Sequence, residues 1–304
     1  MNKTILLTGG TGLIGQALTQ LLLLKGYHIH LLSRKDEQPE NPKIKTFKWD
    51  VYKRQTDLEC LDGVEAIIHL AGEGIADKRW AEKRKQQIIE SRTESIRLIY
   101  ELLKNKDTHT VKAVISASAT GYYSDRGDEL LTEESKPAHD FLAHSCVEGE
   151  KAVDEGAELG LRIVKLRTGI VLDKRGGALV QIAGPVKLGF GAVLGSGKQW
   201  MSWIHIEDAI RMYEFALENK ELSGVFNMVS PEPATNKELT KAIAAQLHKP
   251  LWLPHVPAFA LKLVMGEMAT IVLGSTKVSA NKIQSADFQF KHPNLKDALK
   301  NIYG

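Results

Sequence analysis

The sequence predicts an α/β protein: a doubly wound parallel sheet of about seven strands, with a smaller C-terminal region. Three observations predict it. Short β-forming runs alternate with helical patterns and are spaced too widely for hairpins, which requires crossover connections. The first strand breaks at once into a glycine-rich loop that opens a helix. From Pro231 the composition changes, with prolines at 250, 254 and 257 punctuating the chain.

The elements follow in order. Thr4–Thr8 is an apolar run that reads as a buried strand. It enters Gly9-Gly10-Thr11-Gly12-Leu13-Ile14-Gly15, and Leu13, Ile14, Ala17, Leu18, Leu21 and Leu22 make the apolar face of the next helix. Strand, glycine loop and helix form a Rossmann-type dinucleotide site. Gly9 permits the turn, Gly12 lets backbone approach a pyrophosphate, and Gly15 lets helix and strand pack closely. The helix N-terminus offers free N–H groups to the phosphates. The spacing Gly9-x-x-Gly12-x-x-Gly15 is one residue wider than the common fingerprint.

His28 to Leu32 reads as the second strand. An acidic residue just beyond it would hold the ribose 2′-OH of NAD, whereas a basic one suits the 2′-phosphate of NADP. Here the chain reads Ser33-Arg34-Lys35, which points to NADP(H), and the Arg34 guanidinium suits the adenine face. The alternative is a solvated basic turn, with Asp36 or Glu37 on the ribose. Ile44 to Trp49 is the third strand; Asp50 at its end either accepts from the adenine amino group or is a plain strand-end residue. Ala66 to Leu70 is the fourth, and Leu70-Ala71-Gly72 lets backbone approach the cofactor. His69, inside this apolar strand, reads as a core histidine. Arg79 and Trp80 open a basic stretch that either greets an anionic substrate, with Lys83, or is the exposed face of a helix.

Val111 to Ser116 is the fifth strand. Its end, Ser116 to Tyr123, is rich in hydroxyls, and strand carboxyl ends face the ligand crevice. Arg162 to Leu166 and Val225 to Val229 are the sixth and seventh strands, with a helix over Ile206 to Leu217. Glu207 and Asp208 complement that helix's dipole. The glycine-rich stretch before it forms the substrate pocket, walled by Trp200 or Trp203 unless these pack in the core. Asn236 is read as an N-cap, and further helices are placed near Phe259 to Gly274 and Asn294 to Ile302. The dinucleotide-binding domain spans 1–170, with 204–230 returning to complete its sheet. The substrate-binding region is 171–203 and 231–304.

Composition bounds the function. The chain has 304 residues, 43% of them hydrophobic and 25% charged, which is ordinary for a globular protein with a substantial core. A net charge of +3 makes no electrostatic case for nucleic acid. Cys60 and Cys146 offer neither a disulfide framework nor metal spacing, so no metal is expected and a reducing, cytoplasmic setting is. The apolar stretch from Val256 to Leu273 is interrupted by Lys262, Gly266 and Glu267, so no membrane span is read there.

With the glycine loop, Ser118 and Trp203-Ile204-His205-Ile206-Glu207-Asp208, the chain resembles an extended short-chain dehydrogenase/reductase. More narrowly it resembles the atypical epimerase family group, named for nucleoside-diphosphate-sugar epimerases. That likeness runs nearly end to end. It takes in His69 to Gly72, Lys78-Arg79-Trp80, Ser91-Arg92, Gly121-Tyr122-Tyr123, Arg167 to Leu172, Gly195 to Trp200 and Asp287 to Phe290. The resemblance implies a serine beside a Tyr-x-x-x-Lys pair: the serine bonds the substrate oxygen, the tyrosine transfers a proton, and the lysine lowers the tyrosine pKa and holds the nicotinamide ribose. Ser118 fits the serine. If Glu150 takes the acidic position after the pair, Leu142 replaces the tyrosine and Cys146 the lysine. Leucine donates no proton, and a neutral thiol is no fixed charge. Tyr122, Tyr123 or His144 are the substitute acids, though His144 reads more simply as a surface residue and Cys146 as a small buried one.

The expectation is therefore an NADP(H)-dependent oxidoreductase or epimerase of a small sugar-like or carbonyl substrate. The alternative is a catalytically quiet NADP(H)-binding interaction protein. Extended relatives further imply a homodimer through helices flanking the sheet.

Overall fold

The computed structural model describes residues 3–35 and 38–304. Asp36 and Glu37, the alternative ribose contacts, lie outside the described residues. In chain order the elements are β1 (Thr4–Thr8), α1 (Leu13–Leu24), β2 (His28–Ser33), β3 (Ile44–Asp50), β4 (Gln55–Thr56), β5 (Val64–His69), α2 (Glu82–Lys104), β6 (Ala113–Ala119), β7 (Leu130–Leu131) and α3 (Phe141–Asp154). There follow β8 (Arg162–Thr168), β9 (Ile170–Leu172), α4 (Gly177–Lys187), β10 (Trp200–Met201), β11 (Trp203–His205), α5 (Ile206–Glu218), β12 (Gly224–Met228) and β13 (Ala234–Thr235). The last are α6 (Asn236–Gln246), α7 (Ala258–Met265), α8 (Thr270–Leu273), β14 (Lys277–Val278), α9 (Asn281–Ser285) and α10 (Leu295–Tyr303).

The central sheet has eight strands in the order β12-β8-β6-β5-β1-β2-β3-β4. Seven pair in parallel, as the sequence predicts. The eighth, β4, folds back antiparallel on β3 through Trp49↔Thr56 and Asp50↔Gln55. The strand order reverses between β1 and β5, the place where open α/β sheets form a ligand crevice.

Side-chain alternation explains the layers. Ile5 and Leu7 of β1 join Leu18 and Leu22 of α1 and Met212 and Tyr213 of α5 in one core. Leu6, between them in sequence, packs on the other face with Ile67, Ile96, Ile99 and Val114. Period-two strands buried on both faces are the signature of a covered parallel sheet. A third core gathers Leu172, Leu179, Trp203, Leu239, Ile243 and Leu299 beside the sheet.

Two expectations are corrected and a third is extended. The N-cap of α6 is Thr235, in a capping box with Glu238; Asn236 is instead buried within the helix and accepts the Leu194 N–H through Oδ1 at 2.9 Å. The helix expected over 259–274 is broken at Gly266, which sits at φ +61°, and Phe259, Leu263 and Val264 of α7 stand exposed. Asp208 does more than complement a dipole. Fully buried, it accepts the backbone N–H groups of Lys291 and His292 at 2.8 Å and an Arg211 N–H at 3.0 Å, clamping the C-terminal segment to α5.

Candidate functional site

The glycine loop is built as its spacing demands. Gly9 has φ +68°, and a Cβ there would lie 2.7 Å from the Leu70 carbonyl. A Cβ on Gly15 would lie 2.3 Å from Gly9 O and 2.6 Å from Gly10 Cα. Gly12 is different: its Cβ would meet Gly9 O alone, at 3.3 Å. Gly12 caps α1 without a side chain, and its own N–H donates to Gly9 O at 3.0 Å. The first turn of α1 therefore keeps donors for an anion. Thr11 is exposed at the loop's tip, Leu13 and Ile14 are half-buried, and Leu13 packs toward Gly176 and Gly177.

One hydroxyl fixes the opposite bank. Thr8 Oγ1 accepts the N–H groups of Leu70 at 3.1 Å and Ala71 at 3.0 Å, holding Leu70-Ala71-Gly72 beside the loop. Beyond β2, Ser33 Oγ accepts the Lys35 N–H, and the Arg34 side chain is 84% exposed with Nη1 3.5 Å from Glu73 Oε1. Asp50, at the end of β3, accepts the N–H groups of Tyr52 and Lys53 through Oδ1, which fixes its own turn and leaves Oδ2 outside these bonds.

A cleft of about 340 Å³ continues from Leu70-Ala71-Gly72 along the carboxyl ends of β5 and β6 to α3. Ser118, Thr120, Leu142 and Cys146 line it, with Trp200 and Ile271 on the far wall. Asp140 caps α3 by accepting the Ala143 N–H at 3.0 Å, so the helix starts where a Tyr-x-x-x-Lys pair would open it, with Leu142 and Cys146 turned to the cleft. Burial, with Glu150 nearby, pushes the Cys146 thiol up to about 11, so it stays protonated at neutral pH. Sγ lies 3.7 Å from the Ala119 carbonyl.

Ser118 donates its proton to Glu150 Oε1 at 2.7 Å. Glu150 is gripped by Arg167, Nε to Oε1 and Nη2 to Oε2, both at 2.8 Å. The same guanidinium stacks 3.3 Å from the Tyr122 ring centre and donates to the Tyr123 hydroxyl at 2.9 Å. Tyr123 is fully buried, donates to Asn227 Oδ1 at 2.7 Å, and is pushed up to about 12 by burial. Neither tyrosine lines the cleft: Tyr123 gives its proton to Asn227 and Tyr122 packs on the Arg167 guanidinium, at the back of the Ser118 support. Thr120 lines the cleft, with its hydroxyl outside the hydrogen bonds among the described residues.

Other candidates are dispersed. Arg79 donates to the Val264 carbonyl at 2.6 Å, tying the loop before α2 to α7. Trp80 donates to the Ile75 carbonyl and packs edge-on against Phe141. Trp203 is fully buried, its indole N–H on the Glu232 carbonyl, so Trp200 and not Trp203 walls the cleft. His69 is a core residue between Ser95 and Ser116 Oγ, pushed down to about 4 by burial. His144 is exposed.

His205, Glu207 and His292 converge closely enough to suggest a metal, but their hydrogen bonds oppose one. His205 Nδ1 accepts the Glu207 N–H at 3.1 Å, which leaves the proton of the neutral ring on Nε2 and removes that nitrogen as a ligand. Glu207 is already paired with His292 and Lys291.

Sequence reasoning missed two parts of the site. Glu150 was noticed only as a register marker, whereas it receives the Ser118 proton. Arg92, which the family resemblance takes in with Ser91 but gives no role, lines the cleft from α2.

Fold and cleft define a Rossmann-type α/β protein whose ligand crevice lies at the switch between β1 and β5. The chain belongs to the NAD-dependent epimerase/dehydratase family, whose model matches residues 5–229; a domain of unknown function, DUF1731, matches residues 256–302. An epimerase family protein of Staphylococcus aureus is 38% identical over 303 residues, covering 99% of each chain. The epimerase family protein YfhF of Bacillus subtilis is 36% identical, covering 98% of this chain and 97% of its own. Among solved structures, human epimerase family protein SDR39U1 with NADPH superposes at a TM-score of 0.85, with 31% identity and 99% of each chain covered.

Proposed function

We propose that the protein is an NADP(H)-dependent oxidoreductase or epimerase acting on a small sugar-like or carbonyl substrate. The observation that carries this reading is the continuity of three features: the open N-terminus of α1 at Gly12, the Leu70-Ala71-Gly72 bank, and the hydroxyl-lined cleft. NADPH in the human relative supports the cofactor, as does an exposed Arg34 in place of an acidic residue after β2.

Bound NADP(H) supplies or accepts a hydride. The chain orients the substrate. With its own proton on Glu150, Ser118 faces the cleft as an acceptor and suits a substrate hydroxyl. Thr120 is a hydroxyl able to donate to a substrate oxygen.

A second reading, a catalytically quiet NADP(H)-binding protein, is favoured by one observation. The positions expected to carry the acid pair hold Leu142 and a protonated Cys146. Titration with NADPH and NADH, followed by a carbonyl and nucleotide-sugar screen at 340 nm, separates the readings. We expect NADPH to bind at least about tenfold tighter than NADH, with the preference lost in Arg34→Ala. Equal binding of both cofactors overturns the NADP assignment. Tight NADPH binding without turnover of any substrate supports the quiet reading.

A further inference from the structure

We propose that Arg92 makes the cleft an acid-binding site, its unengaged N–H groups holding an anionic oxygen of the ligand: a substrate carboxylate or a phosphate of the dinucleotide. This rests on reading the cleft as the cofactor and substrate site.

Arg92 reaches the cleft from the middle of α2, alongside Leu142 and Cys146. Its Nη1 donates to the Ile88 carbonyl at 2.7 Å and lies 3.4 Å from Ser91 Oγ, and Nη2 donates to the Glu73 carbonyl at 3.1 Å. All these partners are neutral. They leave Nε–H and one Nη2–H unengaged by the described residues, in a group that offers a planar fork suited to carboxylate or phosphate. Gly72 makes room for its head group, and Gly149 lies alongside its stem. A Cβ on Gly72 would sit 3.2 Å from Arg92 Cζ, and one on Gly149 would sit 3.7 Å from Arg92 Cβ.

The nearby acids are spoken for. Glu73 pairs with Arg84 at 3.0 Å, and Glu150 holds Arg167 and Ser118. Cys146, beside Arg92, is a neutral thiol. Arg84, Arg97 and Arg167 each have a carboxylate within 3.0 Å; among the described residues Arg92 has none at ion-pair distance. A guanidinium half-withdrawn from water without a counter-ion is costly, and a ligand's acidic oxygen removes that cost.

The test is thermal unfolding of the full chain with oxalate or inorganic phosphate, at ionic strength matched with NaCl, with and without saturating NADPH. Wild type, Arg92→Gln and Arg92→Lys are compared, and NADPH affinity is titrated for each. We expect an oxyanion to raise the wild-type Tm and Arg92→Gln to weaken that binding at least about tenfold. Arg92→Lys, which keeps the charge without the fork, falls between and serves if the glutamine variant fails to fold. An Arg92-dependent oxyanion effect that persists with NADPH bound assigns the residue to the substrate. One that NADPH abolishes, with weaker NADPH binding by Arg92→Gln, assigns it to a cofactor phosphate. Wild type that ignores NADPH yet responds to oxalate through Arg92 refutes the cofactor reading and keeps this one. Equal responses, and equal NADPH affinities, across the three proteins overturn the proposal.

Discussion

Single residues divide into those whose role follows from covalent geometry and those whose role follows from distant neighbours. Gly15 is of the first kind. A methyl group there meets backbone at 2.3 and 2.6 Å, which cannot step aside. Gly15→Ala is expected to lower stability by about 1–3 kcal/mol. Gly12→Ala meets only one oxygen at 3.3 Å, so its fold should hold while NADPH affinity drops, because the new methyl stands where a pyrophosphate approaches. Urea denaturation and NADPH titration of both variants check this; a Gly12→Ala protein that binds normally contradicts the loop assignment. The glycine spacing was legible because glycine roles are local. Arg92 was not, since its significance lies in which carboxylates are taken by other arginines. Trp200 and Trp203 were indistinguishable for a similar reason: β10 pairs with β13 and β11 with β9, and only those pairings decide which indole meets the cleft.

At the scale of elements, most strands and helices were legible because their periodicity is strong. The start of α3 shows it, with Asp140 as a cap. The two-residue β4 was not legible, being too short to carry a pattern. Neither was the break in the 259–274 run, where one glycine at positive φ outweighs a continuous apolar stretch. The broken run does two kinds of work. Thr270 and Ile271 line the cleft, while the carbonyl of Val264 receives Arg79 and the carboxylate of Glu267 receives Lys85 at 2.8 Å. These two contacts tie the loop before α2 and the first turn of α2 to the segment that carries the far wall. Arg79→Ala is expected to speed amide hydrogen exchange across 258–273 severalfold, with β1, β5 and β6 unchanged. Unchanged exchange in that segment would show that the tie bears no strain of closure.

For the molecule as a whole, two buried histidines contribute to its loss of stability in acid. His69 and His205 are both pushed down to about 4, by burial and, for His205, by His292 alongside. An unfolded chain binds their protons near pH 6.5, whereas the folded one refuses them until about 4. Between those values the unfolded state holds more protons, so stability must fall as pH falls. Urea midpoints should drop from pH 7 to pH 5, and His205→Asn, which keeps an N-cap, should flatten the slope. A slope unaltered by that change would remove His205 from the account. The parallel sheet was legible from the alternation of strands and helices; its point of reversal was not, since strand order is set by pairing, and neither was the clamp on Asp208, which joins residues more than eighty positions apart. That distance has a consequence for the order in which the protein comes into being. A ribosome delivers Asp208 more than eighty residues before Lys291 and His292, so α5 can seat its carboxylate on those two N–H groups only after that further stretch has emerged. Until then Arg211, on the same helix, is the partner already within reach, and the two backbone bonds that bury the charge come late.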